Sequence, residues 1–231
     1  MIKENIGGLM DKRFLAILGG IIAIFIGIFV ITQIGNDNNT TNTSNSQQKP
    51  TSHIKGEGKK AVTLIEYGDY QCPVCAVYEP TLKQVYDRFS QDIYFQFRNL
   101  PLVSIHPNAF AAARAAEAAG MQNKYFEMHD KLYENQNAWS NSNNAFSLFK
   151  QYAQEVGLDV NKFTADFAKK EVNDAINADL AAFAKTGQSQ ATPTFFLDGK
   201  YIENKDLSDA NGNPSVDKFA QVIDAAIAQK Q

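Results

Sequence analysis

The 231 residues carry 22 Lys and Arg against 25 Asp and Glu, a formal charge of -3. The two signs are interspersed and no block of basic residues offers a nucleic-acid footprint, so bulk electrostatics excludes a polyanionic partner. The long mixed segment of the chain reads as a single globular domain of roughly 170 residues, enough to bury a core without staples.

From Phe14 to Ile31 no side chain is polar, and Thr32-Gln33-Ile34 extends the run to residue 34. At 1.5 Å rise per residue such a run spans a hydrocarbon core of about 30 Å. A cleavable signal peptide is the competing reading, but its apolar region is usually only ~7–15 residues and ends at a small-residue site. Here Gly35-Asn36-Asp37-Asn38 follows, and no cysteine comes next to accept a lipid. Residues 14–34 are therefore expected to be a single-pass, uncleaved membrane anchor. Lys12 and Arg13 flank it on one side and no base precedes Lys49 on the other, which places residues 1–13 in the cytoplasm and the remainder outside. Residues 35–58 hold one aliphatic residue, Ile54, among Asn, Thr, Ser, Gln and Gly, the composition of a flexible linker.

At residue 59 the texture changes. Ala61 to Tyr67 is a short β-branched apolar run ended by Gly68-Asp69 and predicts a buried strand. Val74, Val77, Tyr78, Leu82, Val85 and Phe89 then share one helical stripe, and Ile93 to Phe97 reads as strand again, completing a βαβ unit. Helical signal fills about 104–187, as Asn108 to Ala119, Lys124 to Asn135, Ala145 to Val156 and Glu171 to Lys185. Thr194 to Leu197, Asp198-Gly199 and Lys200 to Ile202 form a hairpin signature. A last helix follows, with Ser215 as N-cap and Phe219, Val222, Ile223, Ala226 and Ile227 on one face.

The chain has two cysteines, spaced as Cys72-Pro73-Val74-Cys75 where the first strand and its loop give way to a helix. A sulfur there lies over unpaired backbone N–H groups and the positive end of the helix dipole, and both favour the thiolate that attacks disulfides. Pro73 suits the first helical turn. A purely structural disulfide would close so small a loop that it constrains the unfolded chain little. Zinc needs about four ligands, and only His53, His106 and His129 remain, scattered through linker and helices. Copper has no better support. No metal and no cofactor beyond the redox-active pair is expected.

The stretch Glu66 to Cys75, together with His106-Pro107-Asn108-Ala109 and Ala191-Thr192-Pro193-Thr194-Phe195, resembles the DsbA-like thiol-disulfide oxidoreductases, in the membrane-anchored branch of Gram-positive type. The resemblance covers about residues 59–231. It implies an α/β thioredoxin fold (βαβ, then ββα) interrupted by a helical insertion and preceded by one transmembrane helix. It further implies that Cys72 is the nucleophile, that Cys75 resolves, and that Glu66 is a buried acid relaying a proton to Cys75. Thr192 and Pro193 match a substrate-binding loop facing the cysteines, with the Thr192-Pro193 bond cis. Strong oxidants of the family often have histidine between the cysteines, whereas Val74 is neutral here, so the oxidising strength is left open.

His106 reads as a capping or packing residue, Asp69 as a solvated loop acid, and Trp139, Phe126, Phe146 and Phe149 as packing of the helical block. The function expected first is oxidation of cysteine-containing exported proteins, with a quinone-linked membrane partner, implied by the resemblance, reoxidising the dithiol. The same chemistry run in reverse, as reductase or isomerase, and a peptide- or metal-binding module without turnover are the alternatives.

Overall fold

Val62, Leu64 and Glu66 alternate along one strand with Thr63, Ile65 and Tyr67, so a single stretch supplies inward residues to both faces of a sheet. This is β2 (Val62–Gly68) of a computed structural model that describes residues 51–230. The expectations for residues 1–50, namely the cytoplasmic end, the anchor at 14–34 and the linker as far as residue 50, lie outside the described residues. Among the described residues no helix is long and apolar enough to cross a membrane.

Among the described residues the sheet has five strands, in the order β1 (Ile54–Lys55), β3 (Ile93–Asn99), β2, β4 (Thr194–Leu197) and β5 (Lys200–Ile202). β2 and β3 run parallel through the crossover helix α1 (Pro73–Phe89), and the remaining pairs are antiparallel. The hairpin and the last helix form as the sequence predicts. In that helix, α8 (Val216–Ala228), the Ser215 side chain accepts from the Lys218 N–H. Between β3 and β4 lie α2 (Ala109–Gly120), α3 (Tyr125–Glu134), α4 (Gln136–Trp139), α5 (Ala145–Glu155), α6 (Val160–Phe167) and α7 (Lys170–Ala184). Two of these are absent from the sequence reading. α4 has four residues, too few for a period, and α6 carries its own N-cap in Asp159, which accepts from the N–H groups of Asn161 and Lys162.

α2 explains how the insertion is built. Its alanines 112, 113, 115, 116, 118 and 119 are all buried, so neighbours close on it from every side, and it packs against α3, α5, α6 and α7. One continuous apolar core runs from the sheet through α1 and α8 into the insertion, taking in Leu64, Leu82, Phe97, Trp139, Phe149 and Phe163. The other sheet face has a smaller core of Tyr67, Leu100, Phe183 and Phe196.

Two expectations need correction. The linker does not extend to residue 58, because the domain has already begun by Thr51. The Thr51 N–H and hydroxyl donate to the Asp179 carboxylate at 2.9 and 2.7 Å, and Ile54 and Lys55 pair with Gln96 and Phe95. These contacts are polar and backbone-mediated, so a search for apolar residues passes over them. The α1 stripe is also narrower than its spacing suggests: Tyr78, Leu82, Val85 and Phe89 are buried, whereas Val74 is 49% and Val77 57% exposed.

Candidate active site

Glu66 ends the inward row of β2, in register with Phe97 and Phe195, so the alternation that buries Val62 and Leu64 buries a carboxyl too. It is 1% exposed, and neither carboxyl oxygen has a hydrogen-bond partner among the described residues. Gly68 lets this region close: a Cβ there would lie 2.4 Å from the Phe97 ring and 3.1 Å from Glu66 Oε1. Burial, reinforced by the charge of Glu79, holds the Glu66 carboxyl well above the usual range, with Lys55 pulling the other way and Cys72 adding to the rise. Burial thus strongly favours the protonated form of Glu66.

The loop after β2 is cross-linked with unusual thoroughness. Asp69, expected to be solvated, is buried, and its Oδ1 accepts the Gln71 N–H at 2.7 Å. Its Oδ2 accepts the Leu102 N–H at 2.9 Å and lies 2.7 Å from His106 Nδ1. His106 therefore braces the loop through a carboxylate partner 37 residues earlier in the chain, a pairing that no local pattern announces. Gln136 Nε2 donates to the carbonyls of Tyr70 and Cys72 at 2.8 and 2.9 Å, and the Gln71 side chain links the Asn108 N–H to the Ser140 carbonyl. The insertion thereby holds the loop that presents the first cysteine.

Cys72 is the N-cap of α1, Pro73 opens the helix, and Cys75 sits in its first turn. Both cysteines are free; Cys72 keeps 6% of its surface exposed and Cys75 1%. The Cys75 thiol donates to Cys72 and is the largest influence lowering the Cys72 thiol to about 5. Burial opposes it, while the Thr192 hydroxyl and the backbone N–H groups of Cys75 and Val74 lower it further. Cys75 moves the opposite way, held well above the thiol range by burial, by its hydrogen bond to Cys72 and by nearby Glu66.

Facing this pair is the Thr192-Pro193 peptide, which is cis. The Thr192 carbonyl oxygen lies 3.5 Å from Cys72 Sγ, and its hydroxyl is buried with no hydrogen-bond partner among the described residues. The residues expected to form the site, Glu66, Cys72, Pro73, Val74, Cys75, Thr192 and Pro193, thus come together from β2, α1 and the start of β4. Sequence reasoning missed Asp69, Gln71 and Gln136, which show no periodic signal. It also missed Glu79, which had one: an acid four residues after Cys75, on the buried face of α1.

A site that keeps one sulfur ionised at the surface and a second protonated beneath it is suited to thiol-disulfide exchange. The family model described as thioredoxin matches residues 48–225, and the chain belongs to that family. Its fold is that of the DsbA-like oxidoreductases. A thioredoxin-like oxidoreductase from Silicibacter pomeroyi DSS-3 is 25% identical with TM-score 0.61, over 78% of this chain and 94% of that one. BdbD from Bacillus subtilis is 22% identical with TM-score 0.64, over 79% and 94%. α-DsbA1 from Wolbachia pipientis is 21% identical with TM-score 0.63, over 79% and 94%. Curated relatives include the Na(+)/H(+) antiporter NhaA 1 of Mycobacterium sp. (strain KMS), 36% identical over 153 residues, 64% of this chain and 24% of that protein. NhaA 1 of Salinispora arenicola (strain CNS-205) matches at 35% over 64% of this chain and 22% of that protein. The chain thus spans about a quarter of the length of these relatives.

Proposed function

We propose that the protein oxidises cysteine pairs in exported proteins, with residues 14–34 as its membrane anchor and residues 35–50 as the tether. A substrate thiolate attacks Cys72 Sγ of the Cys72-Cys75 disulfide, and the electron pair of the broken bond passes to Cys75 Sγ, which takes a proton from Glu66. A second substrate thiolate then attacks the substrate sulfur of the mixed disulfide and releases Cys72 as a thiolate. Two electrons have moved from substrate to enzyme. Reoxidation of the dithiol falls to a membrane partner linked to quinone.

The observation that carries this direction is the depressed Cys72 thiol, with its value of about 5. A low thiol pKa stabilises the reduced enzyme, so the enzyme gives up its disulfide readily. Holding the group at about 5, well below the ~8.5–9 of a free thiol, favours the dithiol at pH 7. Thioredoxin, whose thiol is near 7, gains only a few tenths of a kcal/mol in the same way. The difference places the expected potential above thioredoxin's ~-270 mV, and without a loop histidine below DsbA's ~-120 mV. Exposed Val74 and Val77 beside Cys72 offer an apolar surface to unfolded chains.

Equilibration of the full-length protein against glutathione buffers tests the direction. A potential between roughly -250 and -150 mV supports the oxidase. One at or below thioredoxin's makes the reductase the better reading. Protease added to intact cells should remove the domain, and a mature N-terminus beyond residue 34 would rule out the anchor.

A further inference from the structure

Behind Cys75 an unusual number of polar atoms are buried without a hydrogen-bond partner among the described residues. They are both oxygens of Glu66, the Tyr133 hydroxyl, both ring nitrogens of His129 and Oδ1 of Asp130. Groups of this kind are destabilising when left dry. Here they adjoin one another. His129 Nε2 is 3.8 Å from Glu79 Oε2 and Nδ1 is 3.8 Å from Asp130 Oδ1, and the His129 and Tyr133 ring centroids are 5.1 Å apart. Glu79 and Tyr133 also line a cleft of about 270 Å³ between α1 and α3, together with Ala76, Pro80, Lys83 and Glu134.

We propose that this cleft is the proton port of the site: protons pass between bulk water and the Glu66–Cys75 pair through Glu79 and the Tyr133 hydroxyl, over water admitted between α1 and α3. The inference rests on the reading of Glu66 as the proton partner of Cys75. Such a port is required by the order of events. In the mixed disulfide a substrate lies over Cys72, and Glu66 is sealed from solvent on its own. When the disulfide breaks, Cys75 Sγ receives the electron pair and takes the Glu66 proton. The Glu66 carboxylate is reprotonated from the Glu79 carboxyl, and Glu79 from water in the cleft. Reoxidation runs the transfers backwards.

The surroundings of Glu79 suit it to exchange near neutrality. It faces Lys55 from β1, Glu66 from β2, Lys83 from its own helix and His129, Asp130, Tyr133 and Glu134 from α3. Burial and Asp130 push its carboxyl up to about 7 against the pull of Lys55 and Lys83. The Lys55 ammonium is fixed 4.4 Å from the Tyr86 ring centroid and 4.8 Å from that of Phe126. Burial keeps His129 neutral. Glu79, His129 and Asp130 have the spacing of metal ligands, but the Lys83 ammonium, 3.3 Å from Asp130, and that of Lys55 already supply their positive charge.

The test is single-turnover cleavage of the Cys72-Cys75 disulfide by a dithiol peptide, in the detergent-solubilised full-length protein, quenched and analysed over pH 5 to 9. Glu79→Ala and Tyr133→Phe are each expected to slow cleavage about tenfold at pH 7. Glu79→Ala should also lose the limb near neutrality and regain rate with increasing imidazole or formate, whereas wild type should not respond. Cys72 alkylation at pH 7 in the reduced variants should stay within about twofold of wild type, since the thiolate remains fully formed. Glu66→Gln separates the two levels of inference. If it is slow while Glu79→Ala and Tyr133→Phe match wild type, the port is overturned and the Glu66 relay stands. If it is as fast as wild type, the relay falls and the port with it. A slow Glu79→Ala with an unchanged pH profile and no response to added buffer also overturns the port. Tyr133→Phe and Glu79→Gln keep the test decisive should the alanine variant fold poorly.

Discussion

The two sulfurs of this site stand three residues apart on one helical turn, yet their surroundings are opposites. Cys72 looks outward at the α1 terminus and is surrounded by donors: the Cys75 thiol, the Thr192 hydroxyl and two backbone N–H groups. Cys75 looks inward onto a face where burial strongly favours the protonated form of the nearby acid Glu66. Chain geometry alone produces this polarity, since an N-cap side chain meets the orphan N–H groups and the residue three later points back into the core. The lesson is that two sulfurs on one helical turn can be driven apart by hydrogen-bond donors at one and burial at the other.

The largest effect is expected from deleting either side. Cys72→Ser should abolish exchange. Cys75→Ala should leave attack by Cys72 on disulfides intact and stop there, accumulating mixed disulfides visible on non-reducing gels. If Cys75→Ala and Cys72→Ser trap substrates equally, the two sulfurs are not opposites.

Next in size is the contrast in reactivity. In the reduced protein at pH 7, Cys72 should be alkylated at least ~100-fold faster than Cys75, because one thiol is ionised and the other is protonated and buried. Thiolate absorbance should rise around pH 5 as a single step. Labelling of both thiols at one rate, followed by mass spectrometry, would contradict the assignment.

How much of this was legible from residues alone follows the same division. The outward half was legible: the cysteine pair, the helix start and Pro73 are local, and the facing Thr192-Pro193 loop came through resemblance. The inward half was legible only at Glu66, where a strand alternation of period two places a carboxyl in the apolar row. Tyr133 and Lys55 reach the same region from α3 and β1, and only the packing of distant elements shows that they meet. Asp69 shows the limit most clearly. Its partners, Leu102 and His106, are more than thirty residues away, so the sequence offered only a loop acid. The linker boundary was misplaced for a related reason, since Thr51 is held by a hydrogen bond to Asp179 across the domain.

A smaller effect is expected in stability. The Cys72 thiol is depressed on folding, so it favours the folded reduced protein increasingly as pH rises above about 5, fully so above the unfolded thiol value near 9, and not at all below 5. Midway, at pH 7, the stability of the reduced form relative to the oxidised form should be clearly larger than at pH 4. Thermal or denaturant unfolding of both redox forms between pH 4 and 8 measures this. Contributions shared by the two forms, such as that of buried Glu66, largely cancel in the difference. A gap independent of pH would mean that the Cys72 thiolate is not stabilised.

The smallest effect separates the contributions within the outward half. Thr192→Val keeps the shape of the loop and removes one hydroxyl that is buried with no hydrogen-bond partner among the described residues. The Cys75 thiol and the α1 N–H groups remain, so the Cys72 thiol should rise only part of the way towards the free-thiol range, and the potential should fall with it. Cys75 has no contact with this hydroxyl among the influences on it, and its reactivity should not change. Thiolate absorbance against pH, read alongside the glutathione equilibrium, gives both numbers from one preparation. A potential that moves while the Cys72 ionisation stays put would show that the loop acts on the oxidised form, and the polarity of the site would then have a second source besides the thiolate.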